Sequence, residues 1–230
     1  EALEQYGADA IRWYFYSNSA PWLPNRFYGD AVVEGQRKFM GTLWNTYAFY
    51  VLYANIDGFD PTKYTLDRST LTVMDKWILS KLNTAVKLVD SYLGSYKITE
   101  ATRVLEDFVD ELSNWYVRRC RERFWVKDMP EDKINAYMTL YTSLVTVAKI
   151  SAPLIPFMAE DIYRNLVVSV DKSAPVSILI RWKLLSVLLK LSTTGSILPV
   201  TFKSPICSGA SPLSTAKLRV GTSLGVSPIK

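Results

Sequence analysis

The 230-residue sequence contains no histidine and only two cysteines, Cys120 and Cys207. Neither a disulfide framework nor a Cys/His zinc site can be assembled from so few ligands, and no metal site is expected. A serine or cysteine triad of the usual kind is excluded as well, because histidine is the side chain that titrates near neutral pH. Only carboxylate chemistry stays open, and no catalytic residue is assigned. Cysteine this scarce fits a reducing, cytoplasmic setting. An initiator methionine and a basic-then-apolar leader are also lacking: Glu1 to Gly7 already reads as helix, and the expectation is a chain that starts within a longer protein.

Long apolar runs are few. The longest uncharged stretch, Phe39 to Ile56, is interrupted by Gly41, Thr42, Asn45, Thr46 and Asn55. A spanning helix wants about 20 mostly apolar residues, so this segment reads as a buried bundle helix and no membrane partner is expected.

Acidic residues disappear after Asp171, where Lys172, Arg181, Lys183, Lys190, Lys203, Lys217, Arg219 and Lys230 remain unopposed. The formal net charge of +5 therefore misleads. Those eight bases leave 19 others against all 22 acids, a net of −3 for residues 1 to 171. Any polyanion site must be local.

What is present is an all-α pattern. With 49% hydrophobic residues the chain can bury a core of domain size. Glu4 to Ser17 reads as one helix, stopped ahead of Pro21 because the residue before proline is pushed out of the α region. A long helix follows Gly29 and Asp30 and runs to about Ala54, ended by the turn Asp57 to Pro61. Met74, Trp77, Ile78, Leu82, Ala85, Val86, Val89 and Leu93 recur at spacings of three and four, as do Ile98, Ala101, Leu105, Phe108, Val109 and Leu112. Thr99 or a neighbour can start the second of these helices. Asp128, Pro130 and Glu131 have the form of an N-terminal cap, with Asp128 as the capping residue. Pro156 can open a last helix after the break at Ser151 to Pro153. The expected fold is an antiparallel helix bundle.

One segment carries chemistry. In Asp110-Glu111-Leu112-Ser113-Asn114-Trp115-Tyr116-Val117-Arg118-Arg119-Cys120-Arg121-Glu122-Arg123-Phe124-Trp125, the helical spacing places Arg118 and Arg119 on the face of Trp115. An aromatic plane beside guanidinium groups suits an unpaired base and its phosphates. The alternative is a solvated face on which the arginines pair with Asp107, Asp110, Glu111 or Glu122 while Trp115 joins the core.

This segment resembles the "DELSNWYVRR…RFW" signature of class I isoleucyl-tRNA synthetases. Other segments agree in order. Tyr6 to Tyr14 resembles the helix after the family's lysine-rich ATP-site loop, and Arg37 to Tyr47 resembles its first bundle helix. Met74 to Asn83 is similar to "LDRWILSRLN", and Ala152 to Tyr163 to "APxxPFxAExIY". The resemblance implies a helical anticodon-binding domain of the class Ia type over residues 28–177, preceded in 1–27 by the end of the catalytic half. Its implied partners are the anticodon stem-loop of tRNA-Ile and the remainder of the synthetase, in a monomeric enzyme. The parent would use ATP and magnesium to activate isoleucine, but the His-Ile-Gly-His and Lys-Met-Ser-Lys-Ser motifs, any glycine-rich phosphate loop and the editing domain are absent here. By matching position Trp115 would stack on or prop open an anticodon base, and Arg118, Arg119, Arg121 and Arg123 would meet loop phosphates or base edges. Trp125 and Lys127 stand at the margin, and Asn45 lies on the helix whose amide faces the same loop. A valyl or leucyl counterpart, or a bundle that binds protein through its aromatics, are the alternatives.

The resemblance stops near Ile178. Residues 178–230 contain no acids and keep no stable helical period. They read as a disordered, low-complexity basic tail, or as sequence that is out of frame or unrelated.

Overall fold

The helix starts and stops follow from side-chain and backbone chemistry. In the computed structural model, which describes residues 1–20, 22–175 and 177, Thr72 and Asp75 form a reciprocal cap: the Thr72 hydroxyl accepts from the Asp75 N–H, and the Asp75 carboxylate accepts from the Thr72 N–H at 3.1 Å. From this cap runs α5 (Val73–Gly94), the longest helix. Before it come α1 (Ala2–Tyr6), α2 (Ala8–Asn18), α3 (Gly29–Gly35) and α4 (Thr42–Asp57). After it come α6 (Ile98–Asp110), α7 (Arg118–Trp125), α8 (Glu131–Ser151) and α9 (Pro156–Tyr163). Among the described residues there is no strand.

Three wider π-helical turns, Gln36–Gly41, Glu111–Val117 and Arg164–Val168, join or extend these helices. The first fuses α3 to α4 and the second fuses α6 to α7, so each pair is one continuous rod. Gly58 in the left-handed region (φ 63°) ends α4, and its N–H bonds to the Ala54 carbonyl. Pro156 opens α9 as expected.

Two boundaries differ from the sequence reading. The first helix is broken at Gly7, whose φ of 81° suits glycine, into α1 and α2. Asp128 does not cap α8. It takes a left-handed φ of 66° in the reversal after α7, and Pro130 occupies the cap position without a side-chain bond.

The expected stripes face inward. Ile78, Leu82, Ala85 and Val89 of α5 meet Ala101, Leu105, Phe108 and Val109 of α6 in one buried cluster. The rods α4, α5, α6–α7 and α8 alternate in direction. Hence the ends of α4 and α7 lie beside the starts of α5 and α8, as contacts from Tyr53 to Trp125, Asp75 to Arg123 and Tyr137 to Asp57 require. Helix α8 is buried on nearly every face and acts as the central post.

The N-terminal α2 shares this core. Ala10, Trp13 and Tyr14 are buried, and the Trp13 ring lies parallel to Phe39 with centroids 3.8 Å apart. One helical turn also clasps the α8–α9 elbow from both sides. Arg12 donates to the Pro153 and Leu154 carbonyls, and Asp9 accepts from the Phe157 and Met158 N–H groups at the start of α9. Burial raises the Asp9 pKa, partly offset by those two backbone donors.

Candidate nucleic-acid interface

The chemistry-bearing segment begins in a π-helical turn, Glu111–Val117. Such turns shift the register of side chains on a helix and recur at functional sites. Leu112, Tyr116 and Val117 point into the core, while Asn114 and Trp115 are turned outward. The extra residue in the turn splits the arginines that the sequence put on one face.

Arg119 keeps the Trp115 face: its guanidinium carbon sits 4.3 Å from the ring centroid, a cation–π stack. Trp115 is 50% exposed, so it is not a core residue. Arg118 points instead into a cleft of about 350 Å³ between α4 and the α6–α7 rod, lined also by Asn45, Thr46, Phe49, Ser113, Asn114, Val117 and Arg121. Asn45, placed on a separate helix by the sequence, is therefore brought to Arg118 and Arg121.

Among the described residues, Arg123 is the one arginine of this segment that forms ion pairs, and its partners are not the acids that the sequence offered. All three of its guanidinium nitrogens are engaged: Nη1 and Nη2 with Asp75 at 2.8 and 2.9 Å, Nε and Nη2 with Asp132 at 2.8 and 2.7 Å. Arg123 is thus a clamp joining α7 to α5 and α8, and it is not among the residues that line the cleft. Among the described residues, Arg118, Arg119 and Arg121 have no carboxylate within 4.0 Å. Two of the four acids offered by the sequence are used elsewhere: Asp110 accepts from Asn114 at 2.6 Å, and Glu111 pairs with Lys81 at 2.8 Å. Three cations without protein counter-charge are available to an anion from solution.

Trp125 and Lys127, beyond the cleft, are both exposed, and the Trp125 indole N–H donates to the Tyr53 hydroxyl at 2.7 Å. Phe49, Tyr53 and Asn114 are absent from the sequence-derived set. Their spacing offered a signal: Asn45, Phe49 and Tyr53 recur every four residues on α4, and Asn114, Arg118, Arg121 and Trp125 recur at three and four on the facing rod. That these two stripes meet is a tertiary fact.

Beneath the site, the clamp keeps Asp75 ionised. Burial pushes its carboxyl upward, but hydrogen bonds from Arg123, Tyr116 and Thr72, with the Arg123 charge, outweigh that and hold it below the ordinary aspartate range. The thiol of Cys120 is raised by burial and is inert packing; Cys207 lies outside the described residues. Among the described residues no group of three potential ligands could hold a metal, and no helix is long and apolar enough to cross a membrane.

Comparison with known proteins adds independent findings. A profile described as the anticodon-binding domain of tRNA ligase matches residues 75–190, half of the chain, from the first turn of α5 through α9. The chain is 61% identical over 178 residues to the isoleucine–tRNA ligase of Clostridium novyi, covering 77% of this chain and 17% of that protein. It is 56% identical over 181 residues to the enzyme of the same name from Clostridium kluyveri, covering 78% and 17%. With that of Porphyromonas gingivalis it shares 52% identity over 167 residues, covering 72% and 15%. The chain thus spans roughly a sixth of the length of these relatives.

Proposed function

This chain belongs to the family of anticodon-binding domains of tRNA ligases, and from that premise we propose that it is the anticodon-reading segment of an isoleucine–tRNA ligase. The observation that carries the reading is the open cleft in which Arg118 and Arg121, free of protein carboxylates, face Asn45 beside the exposed Trp115–Arg119 stack. Unpaired loop bases offer hydrogen-bonding edges and π faces together, and the loop phosphates offer the anions. Asn45 and Asn114 supply amides for base edges, Arg118 and Arg121 neutralise phosphate, and Trp115, already covered by Arg119 on one face, has its other face for a base. Lys127 adds charge at the margin.

In this proposal the chain catalyses nothing alone. The longer enzyme, a cytoplasmic monomer, activates isoleucine with ATP and magnesium and transfers it to tRNA-Ile. The described residues supply neither a phosphate loop nor a metal cluster, so no step of that chemistry is assigned to them. Residues 1–27 connect the bundle to the catalytic half. The expectation of a basic tail over residues 178–230 lies outside the described residues.

The test is fluorescence anisotropy with a labelled, unmodified tRNA-Ile anticodon stem-loop at about 50 mM and 200 mM salt. Trp115→Ala is expected to weaken binding by about 1–3 kcal/mol, the worth of one stacked base. Arg118→Ala is expected to weaken binding evenly across loop sequences and lower the salt slope by about 1. Absence of binding at the lower salt, or binding untouched by both changes, would count against the reading.

A further inference from the structure

Beyond Arg121 the two helices that wall the cleft continue side by side. One helical turn further along both of its walls, Tyr53 follows Phe49 on α4 and Trp125 follows Arg121 on α7, and the indole N–H of Trp125 bridges the walls by donating to the Tyr53 hydroxyl at 2.7 Å. The Trp125 side chain nevertheless stays open to solvent, at 54% exposure. Beneath it the rings of Phe49 and Tyr53 lie 4.7 Å apart and rest on buried Phe124, 5.2 Å from Phe49. The groove thus has an aromatic floor, a guanidinium rim at Arg118 and Arg121, and a tryptophan at its far end.

We propose that Trp125, anchored by Tyr53, is a second stacking platform, and that the groove from Asn45 to Trp125 seats a run of consecutive unpaired nucleotides. This deepens the anticodon-loop reading and rests on it. Three features support it. The length fits: the eight residue steps of α4 from Asn45 to Tyr53 span about 12 Å, several times the ~3.4 Å rise between stacked bases. The chemistry fits a single strand, since cations track a backbone while ring faces accept bases of any identity. The geometry is set beforehand, because the hydrogen bond fixes the indole edge and leaves little ordering cost at binding. By contrast Trp115 is on the neighbouring stripe, with Arg119 against its ring. The two tryptophans therefore take different bases.

The experiment uses the full chain and the same labelled stem-loop, with 2-aminopurine placed singly at each loop position. Trp125→Ala is expected to weaken binding about 5- to 100-fold, the range of one lost base stack, while the slope of log Kd against log salt stays that of wild type. Trp125→Phe should recover most of the affinity, and Tyr53→Phe should fall between. The 2-aminopurine position quenched by wild type but not by Trp125→Ala should differ from the one lost in Trp115→Ala. Because Trp125 is at the surface, its variants are expected to melt within a few degrees of wild type, and Trp125→Phe serves as the arm free of folding effects. Wild-type binding with a normal salt slope that Trp125→Ala leaves unchanged would overturn this inference and leave the anticodon-loop reading standing. Loss of the same quenched position in both tryptophan variants would overturn it too. No binding by wild type would overturn both, and displacement of the RNA by an acidic peptide but not by oligouridylate would assign the groove to protein.

Discussion

Asp75→Ala is expected to destabilise the folded chain by about 3–5 kcal/mol, the cost of removing one partner from a buried ion pair. Asp75 is fully buried, and its two oxygens accept from Arg123, Tyr116, and the Thr72 hydroxyl and N–H. Alanine would leave the Tyr116 hydroxyl without its acceptor, undo the α5 cap and leave Arg123 with Asp132 alone. Asp75→Asn keeps the volume but not the charge, and should lie between wild type and alanine. A double change, Asp75→Leu with Arg123→Met, should cost less than the two single changes together, because it leaves no orphaned buried charge, Asp132 being half-exposed. Urea unfolding followed by circular dichroism measures each variant against wild type.

The same residue predicts a pH dependence. Its folded pKa is depressed, so the stabilisation is fully present above the unfolded aspartate value of about 3.9. It is lost as pH falls below that value and through the lower folded pKa. Wild type should therefore lose more stability than Asp75→Asn between about pH 4 and pH 2. Equal acid sensitivity of the two proteins would show that Asp75 is not held ionised by the clamp.

Trp13→Ala is the second large expected effect, about 3–5 kcal/mol for a buried tryptophan truncated in a packed core. Trp13 is 1% exposed, and its stack on Phe39 joins the N-terminal segment to the start of the bundle. For a domain of this size the loss corresponds to a drop in Tm on the order of 10 °C. A chain beginning at residue 28 should be destabilised at least as much, since it loses Trp13 together with the Asp9 and Arg12 clasp on the α8–α9 elbow. A truncated chain that melts like the full one would show that residues 1–27 are only tethered. Calorimetry of both proteins decides this.

These effects mark how far the sequence could be read. The helices on either side of Lys97 were legible because an apolar side chain at every third or fourth position has one way to be buried. The arginine-rich segment was legible as a candidate because its residue types suit a base and its phosphates, and because it matched a long family signature. Its internal division was not legible. Spacing alone put Arg118 and Arg119 together and treated Arg121 and Arg123 as equals, whereas the turn at Glu111–Val117 sends Arg118 to the cleft, Arg119 onto Trp115 and Arg123 to Asp75, 48 residues away.

By itself, then, the sequence determined the local order: helices from apolar period, breaks from proline and the turn at Asp57 to Pro61, and the exclusion of histidine and disulfide chemistry by composition. Only the tertiary structure decided which charges are free. An arginine's role depends on whether a carboxylate lies within a few ångströms, and those carboxylates arrive from helices distant in the chain. The same packing laid the stripe of Asn45, Phe49 and Tyr53 against that of Asn114, Arg118, Arg121 and Trp125, making one groove from two faces that each look like an ordinary helix surface.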